Sequence, residues 1–238
     1  MAVAETASAH NKAAGSSRQT RRVARRLAAL AAVCTLAVAA HSASAQIVAN
    51  PAAPGTQQAT VLQAGNGVPL VNIQTPNAQG VSMNRYSQFD VQSNGVVLNN
   101  SRQNANTQLA GWVQGNPWLA AGSAGIIVNQ IDSSQPSLLH GYTEVAGQRA
   151  SVVIANPAGI SVHGAGFINA NGVTLTTGTP QWAANGSLAG YSVQDGNISI
   201  TGQGLDLSGS NYAQLLARAV SINAGIWAKD LYIVTGNN

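Results

Sequence analysis

The chain has 238 residues, enough for one large domain, and only 8% are charged, but a 45% hydrophobic content argues against disorder. The formal charge of +4 comes from residues 1–45, which hold six basic side chains and one acidic one, whereas the rest holds five basic and six acidic. The basic isoelectric point therefore gives no reason to expect a nucleic-acid or acidic-lipid partner.

Residues 1–45 have the organisation of a secretory signal peptide with an extended n-region. A basic stretch ending at Arg26 precedes an uncharged run, and Ala43-Ser44-Ala45 forms an A-x-A cleavage site, so we expect cleavage between Ala45 and Gln46. The apolar run is about 14 residues long, against the roughly 20 needed to cross a bilayer, which makes a permanent transmembrane helix the weaker alternative.

The single cysteine, Cys34, lies in that apolar run. The chain after residue 45 contains no cysteine, so no disulfide can brace it, although an exported protein would be in a compartment that permits disulfides. The mature chain must therefore depend on a continuous buried core.

Residues 46–66 are rich in Pro, Ala and Gln, which indicates an extended lead-in segment rather than a helix. From about residue 67 to residue 238, a pattern recurs in which Gly precedes an apolar–any–apolar triplet. Its glycines are Gly80, Gly95, Gly125, Gly159, Gly172, Gly204 and Gly225. We predict that each Gly adopts a backbone conformation closed to other residues, and that each triplet forms a short strand with both apolar side chains on one face.

Other strands are predicted at residues 151–155, 197–200, 219–222 and 231–234. Residues 211–220 are the one candidate helix, and a loop followed by a strand fits them equally well. A sandwich, a barrel and a parallel β-helix are all compatible with so many short strands. Short strands, Asn, Ser, Thr and Gln that can stack in ladders, and scarce charge favour the β-helix. Because the glycine spacing is irregular, its rungs must be unequal and interrupted by excursions.

Two Asn-Pro dipeptides mark turns. Residues 156–159 satisfy the preferences of a type I turn, with Asn first, Pro second and Gly fourth, and residues 116–119 begin in the same way without the final Gly. From the residues alone, both are interpreted as ordinary corners.

The segments that contain these turns, 111–119 and 156–178, together with 71–101 and 217–236, resemble the N-terminal secretion domain of two-partner secretion exoproteins of the filamentous haemagglutinin type. The resemblance implies an all-β fold, a right-handed parallel β-helix with an N-terminal cap and β-hairpin excursions, over residues 67–238. It also implies recognition by the periplasmic domains of a dedicated outer-membrane β-barrel transporter, and a location at the cell surface or in the medium of a Gram-negative bacterium.

The family's signature turns, Asn-Pro-Asn-Leu and Asn-Pro-Asn-Gly-Ile, carry over to two sets of residues here. They are Asn116, Pro117, Trp118 and Leu119, and Asn156, Pro157, Ala158, Gly159 and Ile160. Both turns lack the third Asn, which puts turn stability and transporter recognition in question. The cysteine pair of some members is replaced by Val162 and Ala165.

No catalytic, metal or cofactor motif is expected in the mature chain. Its histidines, His140 and His163, are not at metal-ligand spacing, and six scattered carboxylates form no evident pair. We therefore predict a domain without enzymatic activity. The alternative function is a stand-alone adhesin that binds a host glycan or protein. Its candidate contact residues are Trp112, Trp118, Trp182 and Tyr191.

Overall fold

The computed structural model describes residues 47–237. These residues form twenty strands. In chain order they are β1 (Ile47–Ala49), β2 (Thr60–Gln63), β3 (Pro69–Asn72), β4 (Val81–Phe89), β5 (Val96–Asn100), β6 (Ala105–Thr107), β7 (Gly111–Val113), β8 (Ile126–Ile131), β9 (Ser137–Leu139), β10 (Tyr142–Gly147), β11 (Ala150–Ala155), β12 (Ile160–Ile168), β13 (Ala170–Thr176), β14 (Thr179–Trp182), β15 (Leu188–Ser192), β16 (Asn197–Leu207), β17 (Tyr212–Ala217), β18 (Ala219–Ile222), β19 (Ile226–Ala228) and β20 (Leu231–Thr235). Short 3-10 turns occupy Gly55–Gln57 and Pro117–Leu119. Within the described part of the chain, no helix is long and apolar enough to span a bilayer.

Successive passes of the chain stack in parallel. One sheet has the order β1-β4-β8-β11-β13-β17-β20, and every pairing from β4 to β20 is parallel. The chain therefore returns to this sheet once in every turn. We call each such turn a rung, for example β8 followed by β9 and β10.

The second large sheet bends into two faces. The first half of β12 pairs with β9 and its second half pairs with β10, and the register shifts between His163 and Ala165. In the same way β16 pairs with β18 and then with β19. Gly164, at the bend of β12, has φ +80°, a conformation that favours glycine. Together with the first sheet, these two faces give each rung three sides. The predicted parallel β-helix is confirmed.

The core consists of apolar side chains stacked at equivalent positions of successive rungs. Ile127, Val152, Val173 and Ala213 are aligned through the first sheet, and none exposes more than 1% of its surface. Burial of such side chains is worth about 1.5–3 kcal/mol for each of the larger ones. The interior holds Val162 and Ala165 as well, so core packing occupies the positions where some relatives have a cysteine pair.

Antiparallel strands close the N-terminal end. β1 pairs with β4, and β2 pairs with β3, and both pairings are antiparallel. The segment 46–66, predicted as an extended lead-in, thus supplies two strands to the same sheets that hold the rungs. An antiparallel cap limits further pairing at this end, since an uncovered strand edge is a template for association.

Two hairpins leave the β-helix and pack on its outer surface. The hairpin β6–β7 covers a small apolar cluster that includes Val97 and Ala146, and the hairpin β14–β15 covers another that includes Val128 and Val153. Such excursions explain the irregular glycine spacing of the sequence, because the rungs differ in length where a hairpin is inserted.

A buried carboxylate anchors the first hairpin. Glu144, on β10, is 5% exposed, and its two carboxylate oxygens accept hydrogen bonds from the backbone N–H groups of Gln108 and Leu109, each 2.8 Å long. Those groups lie in the loop between β6 and β7. Charged acceptors form stronger hydrogen bonds than neutral ones, so this side chain fixes the hairpin to the rung that contains β10.

Residues 211–220, the candidate helix, are not helical. They contain strand β17 and the start of strand β18.

The prediction that each recurring glycine adopts a conformation closed to other residues is only partly correct. Gly80, Gly95, Gly159 and Gly204 have positive φ, whereas Gly125, Gly172 and Gly225 do not. At Gly172 the reason is steric, because a Cβ would overlap the ring of Tyr212, which lies opposite it on the next rung.

The expected polar ladders are present in part. Asn99 donates from its side-chain amide to the Oδ1 of Asn72, its register partner on β3, at 2.8 Å. Asn84 and Asn129 are also register partners and fully buried, but they do not bond to each other. Asn84 bonds chiefly to backbone groups, and Asn129 donates to the carbonyl of Val153 and accepts from the hydroxyl of Tyr86. Buried Asn side chains thus satisfy neighbouring backbone groups more often than they bond to one another.

Candidate functional site

The first Asn-Pro turn follows the hairpin β6–β7 and centres on Asn116, which is 3% exposed. Its Oδ1 accepts a hydrogen bond from the N–H of Trp118 at 3.0 Å. Its Nδ2 donates to the backbone oxygens of Ile73 and Asn99, both at 2.9 Å. The N–H of Leu119 donates to the Asn116 carbonyl at 3.2 Å, which closes the turn. One side chain therefore joins the turn to the segment after β3 and to β5.

The second turn connects β11 to β12 and repeats this arrangement. Asn156 is fully buried, and its Oδ1 accepts from the N–H of Ala158 at 3.0 Å. Its Nδ2 donates to the carbonyl of Gln135 and to the Oγ of Ser137, both at 3.0 Å. The N–H of Gly159 donates to the Asn156 carbonyl at 3.0 Å. Here the side chain joins the turn to the preceding rung.

The third residue of each turn donates its backbone N–H to the side chain of the turn's first Asn. Trp118 is 44% exposed and donates from Nε1 to the Oγ1 of Thr60 at 3.1 Å, and Ala158 is half-buried. Both turns close without the third Asn side chain, through the carbonyl and side chain of the first Asn. Leu119 and Ile160, which end the motifs, are buried in the core.

Gly159 has a steric role in the second turn. Its φ is +123°, and a Cβ at this position would lie 3.1 Å from the backbone oxygen of Asn197 in the next rung. Pro157 is half-buried, and Pro117 of the first turn is exposed. The first turn has Leu119 at the equivalent place, and its side chain is buried in the core.

A cleft of about 530 Å³ lies beside the first turn. It is bounded by β2 and β3 on one side and by residues 112–118 on the other. Trp112, at 75% exposure, and Trp118 stand at its rim, and no charged side chain lines it. Trp182 is 41% exposed on the second hairpin. Tyr191, on the same hairpin, packs against the apolar cluster beneath it, and this burial raises the pKa of Tyr191 to about 12.

In the described part of the chain, no three His, Cys, Asp or Glu side chains are placed to hold a metal ion. His163 is exposed, and the centroid of its ring lies 5.8 Å from that of His140 on the adjacent rung. Asp206 accepts hydrogen bonds from Ser208 and from the hydroxyl of Tyr142. Despite partial burial, these bonds hold the pKa of Asp206 below its usual value.

A model of the TPS secretion domain family matches residues 45–238. The chain belongs to the two-partner secretion family. Its fold resembles that in the crystal structure of a filamentous haemagglutinin secretion domain, with a TM-score of 0.72 and 37% identity, over 81% of this chain and 64% of that one.

Curated relatives are similar over most of this chain. A protein named toxin CdiA from Yersinia pestis is 57% identical over 197 residues, which is 83% of this chain and 6% of that protein. A tRNA nuclease CdiA-2 from Burkholderia pseudomallei is 47% identical over 211 residues, 88% of this chain and 7% of that protein. The chain thus spans only about one fifteenth of the length of these relatives.

Membership of the two-partner secretion family settles the general role of the chain. It is the secretion domain of an exported protein of the filamentous haemagglutinin and CdiA type, and such proteins pass through the periplasm of Gram-negative bacteria to the cell surface or the medium. The expected cleavage residues Ala43, Ala45 and Gln46 lie outside the described residues.

Sequence reasoning identified the two turns of this two-partner secretion domain but not the side chains that support them. The partners of Asn116 and Asn156 come from other rungs, and Glu144 lies far along the chain from the hairpin it holds. No strand was predicted around Glu144, so no signal in the sequence pointed to its role.

Proposed function

We propose that this domain directs export by binding, through its two Asn-Pro segments, to the periplasmic domains of a dedicated outer-membrane β-barrel transporter. The observation that carries the proposal is the family match over residues 45–238. A secretion domain of this family requires a partner that takes it across the outer membrane.

Recognition would precede folding. In an extended chain, the side-chain amides of Asn116 and Asn156 are free to bond to a transporter, and an extended segment can add as a strand to one of its domains. In the folded chain both amides are buried and occupied by backbone partners. Folding outside the cell would therefore withdraw the groups that the transporter holds, and release the chain.

The stacked architecture supports such a sequence of events. Each rung contacts mainly its neighbours, so rungs can form one after another as the chain emerges. The absence of cysteine after residue 45 means that no disulfide hinders threading through a barrel. Because no nucleotide is available in the periplasm, the free energy of folding outside would bias movement outward.

We also propose that the domain has no enzymatic activity of its own. The nuclease names of several relatives describe proteins of which this chain matches a small part. The described residues of this domain carry no cluster of metal-binding side chains. Its contribution to such a protein would be transport.

Site-specific photo-crosslinking in secreting cells tests the proposal. A photoactivatable residue at position 118 or 158 should form an adduct with the transporter while the chain is in transit, because both positions lie in the proposed recognition segments. The matched control is position 182, an exposed tryptophan on the second hairpin. Adducts at 182 as abundant as those at 118 and 158, or none at 118 and 158, would contradict recognition through the turns.

A further inference from the structure

A row of side chains crosses four strands of the second large sheet. Tyr142, Gly166, Asp206 and Trp227 are register partners on β10, β12, β16 and β19. Both neighbours of Asp206 along β16 are buried leucines, and side chains alternate between the two faces of a strand, so the row lies on the outer surface. The hydroxyl of Tyr142 reaches over Gly166 to Oδ2 of Asp206, at 3.0 Å.

Glycine residues beneath the two aromatic rings leave room for a cleft in this row. A Cβ at Gly166 would overlap the ring of Tyr142, and a Cβ at Gly225 would lie 2.9 Å from the ring of Trp227. The rings therefore lie directly over backbone, with Asp206 between them in the row. The cleft has a volume of about 420 Å³, within the range of ligand sites, and Tyr142 and Trp227 at its sides expose 37% and 54% of their surfaces.

Asp206 is the only charged residue that lines this second cleft. Hydrogen bonds from Ser208 and Tyr142 hold the pKa of Asp206 below its usual value, so the side chain is a carboxylate at neutral pH. In the described part of the chain, no Lys, Arg or His forms a salt bridge with it. A carboxylate without a cationic partner, beside two aromatic rings whose faces attract cations, favours a positively charged ligand.

The hydrogen bonds already made by Asp206 restrict the kind of cation. Its Oδ1 accepts from the N–H of Ser208 at 3.0 Å and from the Oγ of Ser208 at 2.7 Å, and its Oδ2 accepts from the hydroxyl of Tyr142. A carboxylate has about four acceptor positions, so within residues 47–237 one position, on Oδ2, stays open. A guanidinium pairs best with both oxygens at once, whereas an ammonium needs a single acceptor, so the geometry favours an ammonium.

We propose that the cleft between Tyr142 and Trp227 binds a primary alkylammonium ion. The ammonium donates a hydrogen bond to Oδ2 of Asp206, and its charge and aliphatic stem lie against the indole of Trp227. This chemistry has two sources, a free aliphatic amine and the lysine side chain of a peptide. The site goes beyond the proposed export function, because it uses no residue of the two Asn-Pro turns and does not depend on the transporter.

Titration of the purified full chain in phosphate buffer, which contains no competing amine, tests this inference by calorimetry and ligand-observed NMR. The ammonium probes are butylamine, cadaverine and the peptide acetyl-Gly-Lys-Gly-amide, and the comparison probes are butanol, butyrate and butylguanidinium. At least one ammonium probe should bind with a Kd of about 1 mM, the scale expected for so small a ligand, and each comparison probe at least fivefold more weakly. Binding of the peptide alone would assign the site to a lysine side chain, and binding of the amines alone to a free amine.

Substitutions locate the binding. Asp206→Asn should weaken it at least tenfold, because the charge is lost while the shape is kept. Trp227→Ala should weaken it about threefold to fivefold, and since Trp227 is more than half exposed the fold should persist, which circular dichroism checks for both variants. Asp195→Asn, which removes an exposed carboxylate elsewhere, is the matched control and should leave binding unchanged.

Four results would overturn the proposal. They are no binding of any ammonium probe, equal binding of a comparison probe, binding that survives Asp206→Asn or is unaffected by Trp227→Ala, and an equal loss in Asp195→Asn, which would indicate general attraction of cations to an acidic surface.

Discussion

The side-chain amide of Asn116 donates a 2.9 Å hydrogen bond to the backbone oxygen of Asn99. Asn99 in turn donates from its own amide to Asn72, at 2.8 Å. A chain of buried amides therefore runs from the turn through β5 to β3. Because each amide satisfies a backbone or side-chain group that cannot reach water, removal of one leaves another unpaired.

Asn116→Ala should destabilise the fold substantially. It removes the donors to Ile73 and Asn99 and the acceptor for Trp118, and two buried carbonyls lose a partner. We expect the free energy of unfolding to fall by about 2–4 kcal/mol, measured by urea denaturation. Asn94→Ala, an exposed Asn in the turn before β5, is the control and should change it by less than about 0.5 kcal/mol. Equal effects would refute the anchoring role of Asn116.

Restoring the family's third Asn in the second turn should have little effect. In Ala158→Asn the backbone N–H that donates to Asn156 is unchanged, and the turn is already closed by Gly159. The expected change in the free energy of unfolding is within about 0.5 kcal/mol. A gain of more than about 1 kcal/mol would show that the third side chain contributes to the turn after all.

The anchoring of the first hairpin depends on Glu144. Glu144→Ala should free the backbone groups of Gln108 and Leu109, so the loop between β6 and β7 should become a site of limited proteolysis. The loss of two hydrogen bonds to a charged acceptor should lower the free energy of unfolding by about 2–4 kcal/mol. Asp195→Asn, at an exposed position, is the control. Unchanged protease resistance of Glu144→Ala would contradict the assignment.

The ion pair of Arg85 and Asp132 should make stability depend on acid pH. Burial acts to raise the pKa of Asp132, but hydrogen bonds from Arg85, Asn50 and Gln130 and the charge of Arg85 outweigh it, so the pKa lies below its usual value. The carboxylate therefore contributes stability above its unfolded-state pKa of about 3.9, and this contribution is lost as the pH falls through the lower, folded-state value.

The variant Asp132→Asn checks the direction of this pH dependence of stability. At neutral pH it should be less stable than the parent chain, and the difference should shrink as the pH is lowered through the acidic range. Added salt should also reduce the difference at neutral pH, because the pair is accessible to solvent. A difference between the two proteins that grows on acidification would show that the pKa shift has the opposite direction.

Substitutions at Tyr142 and Gly166 should have non-additive effects on the free energy of unfolding. They are register partners on β10 and β12, and a Cβ at Gly166 would overlap the Tyr142 ring, whose hydroxyl donates to Asp206 at 3.0 Å. Gly166→Ala should therefore destabilise the parent chain by about 1–3 kcal/mol. In a Tyr142→Ala background the same change should be neutral or stabilising by up to about 1 kcal/mol, since Ala is favoured over Gly in a strand. Equal costs in both backgrounds would exclude the coupling.

Local sequence predicted the strands that follow the recurring glycines, because each triplet is a local feature. It did not predict the short strands β9 and β10, the strands of the two hairpins or the contacts between rungs. Residues 211–217 were ambiguous because Ala and Leu favour a helix locally, whereas Gln214 is held in the stack by Thr174, which donates to its side chain at 3.0 Å. Packing with the preceding rung therefore determines that these residues form a strand.

In the candidate site too, local features could be predicted from the sequence and contacts between rungs could not. Both Asn-Pro turns could be predicted, since their closing hydrogen bonds are within the motif. The groups that accept hydrogen bonds from the side chains of Asn116 and Asn156 could not be predicted. They depend on which residues lie beside each turn once the hairpins have been inserted. The register between rungs determines which residues lie beside each turn. Because the excursions differ in length, this register cannot be inferred from the spacing of residues in the sequence.

Secretion with and without the transporter is the most direct test of the account. The chain, fused at its C-terminal end to a reporter that is stable in the periplasm, is expressed in matched cells that have or lack the cognate outer-membrane transporter. The account predicts reporter at the cell surface or in the medium only when the transporter is present, with periplasmic retention otherwise. Equal amounts outside both kinds of cell would contradict it.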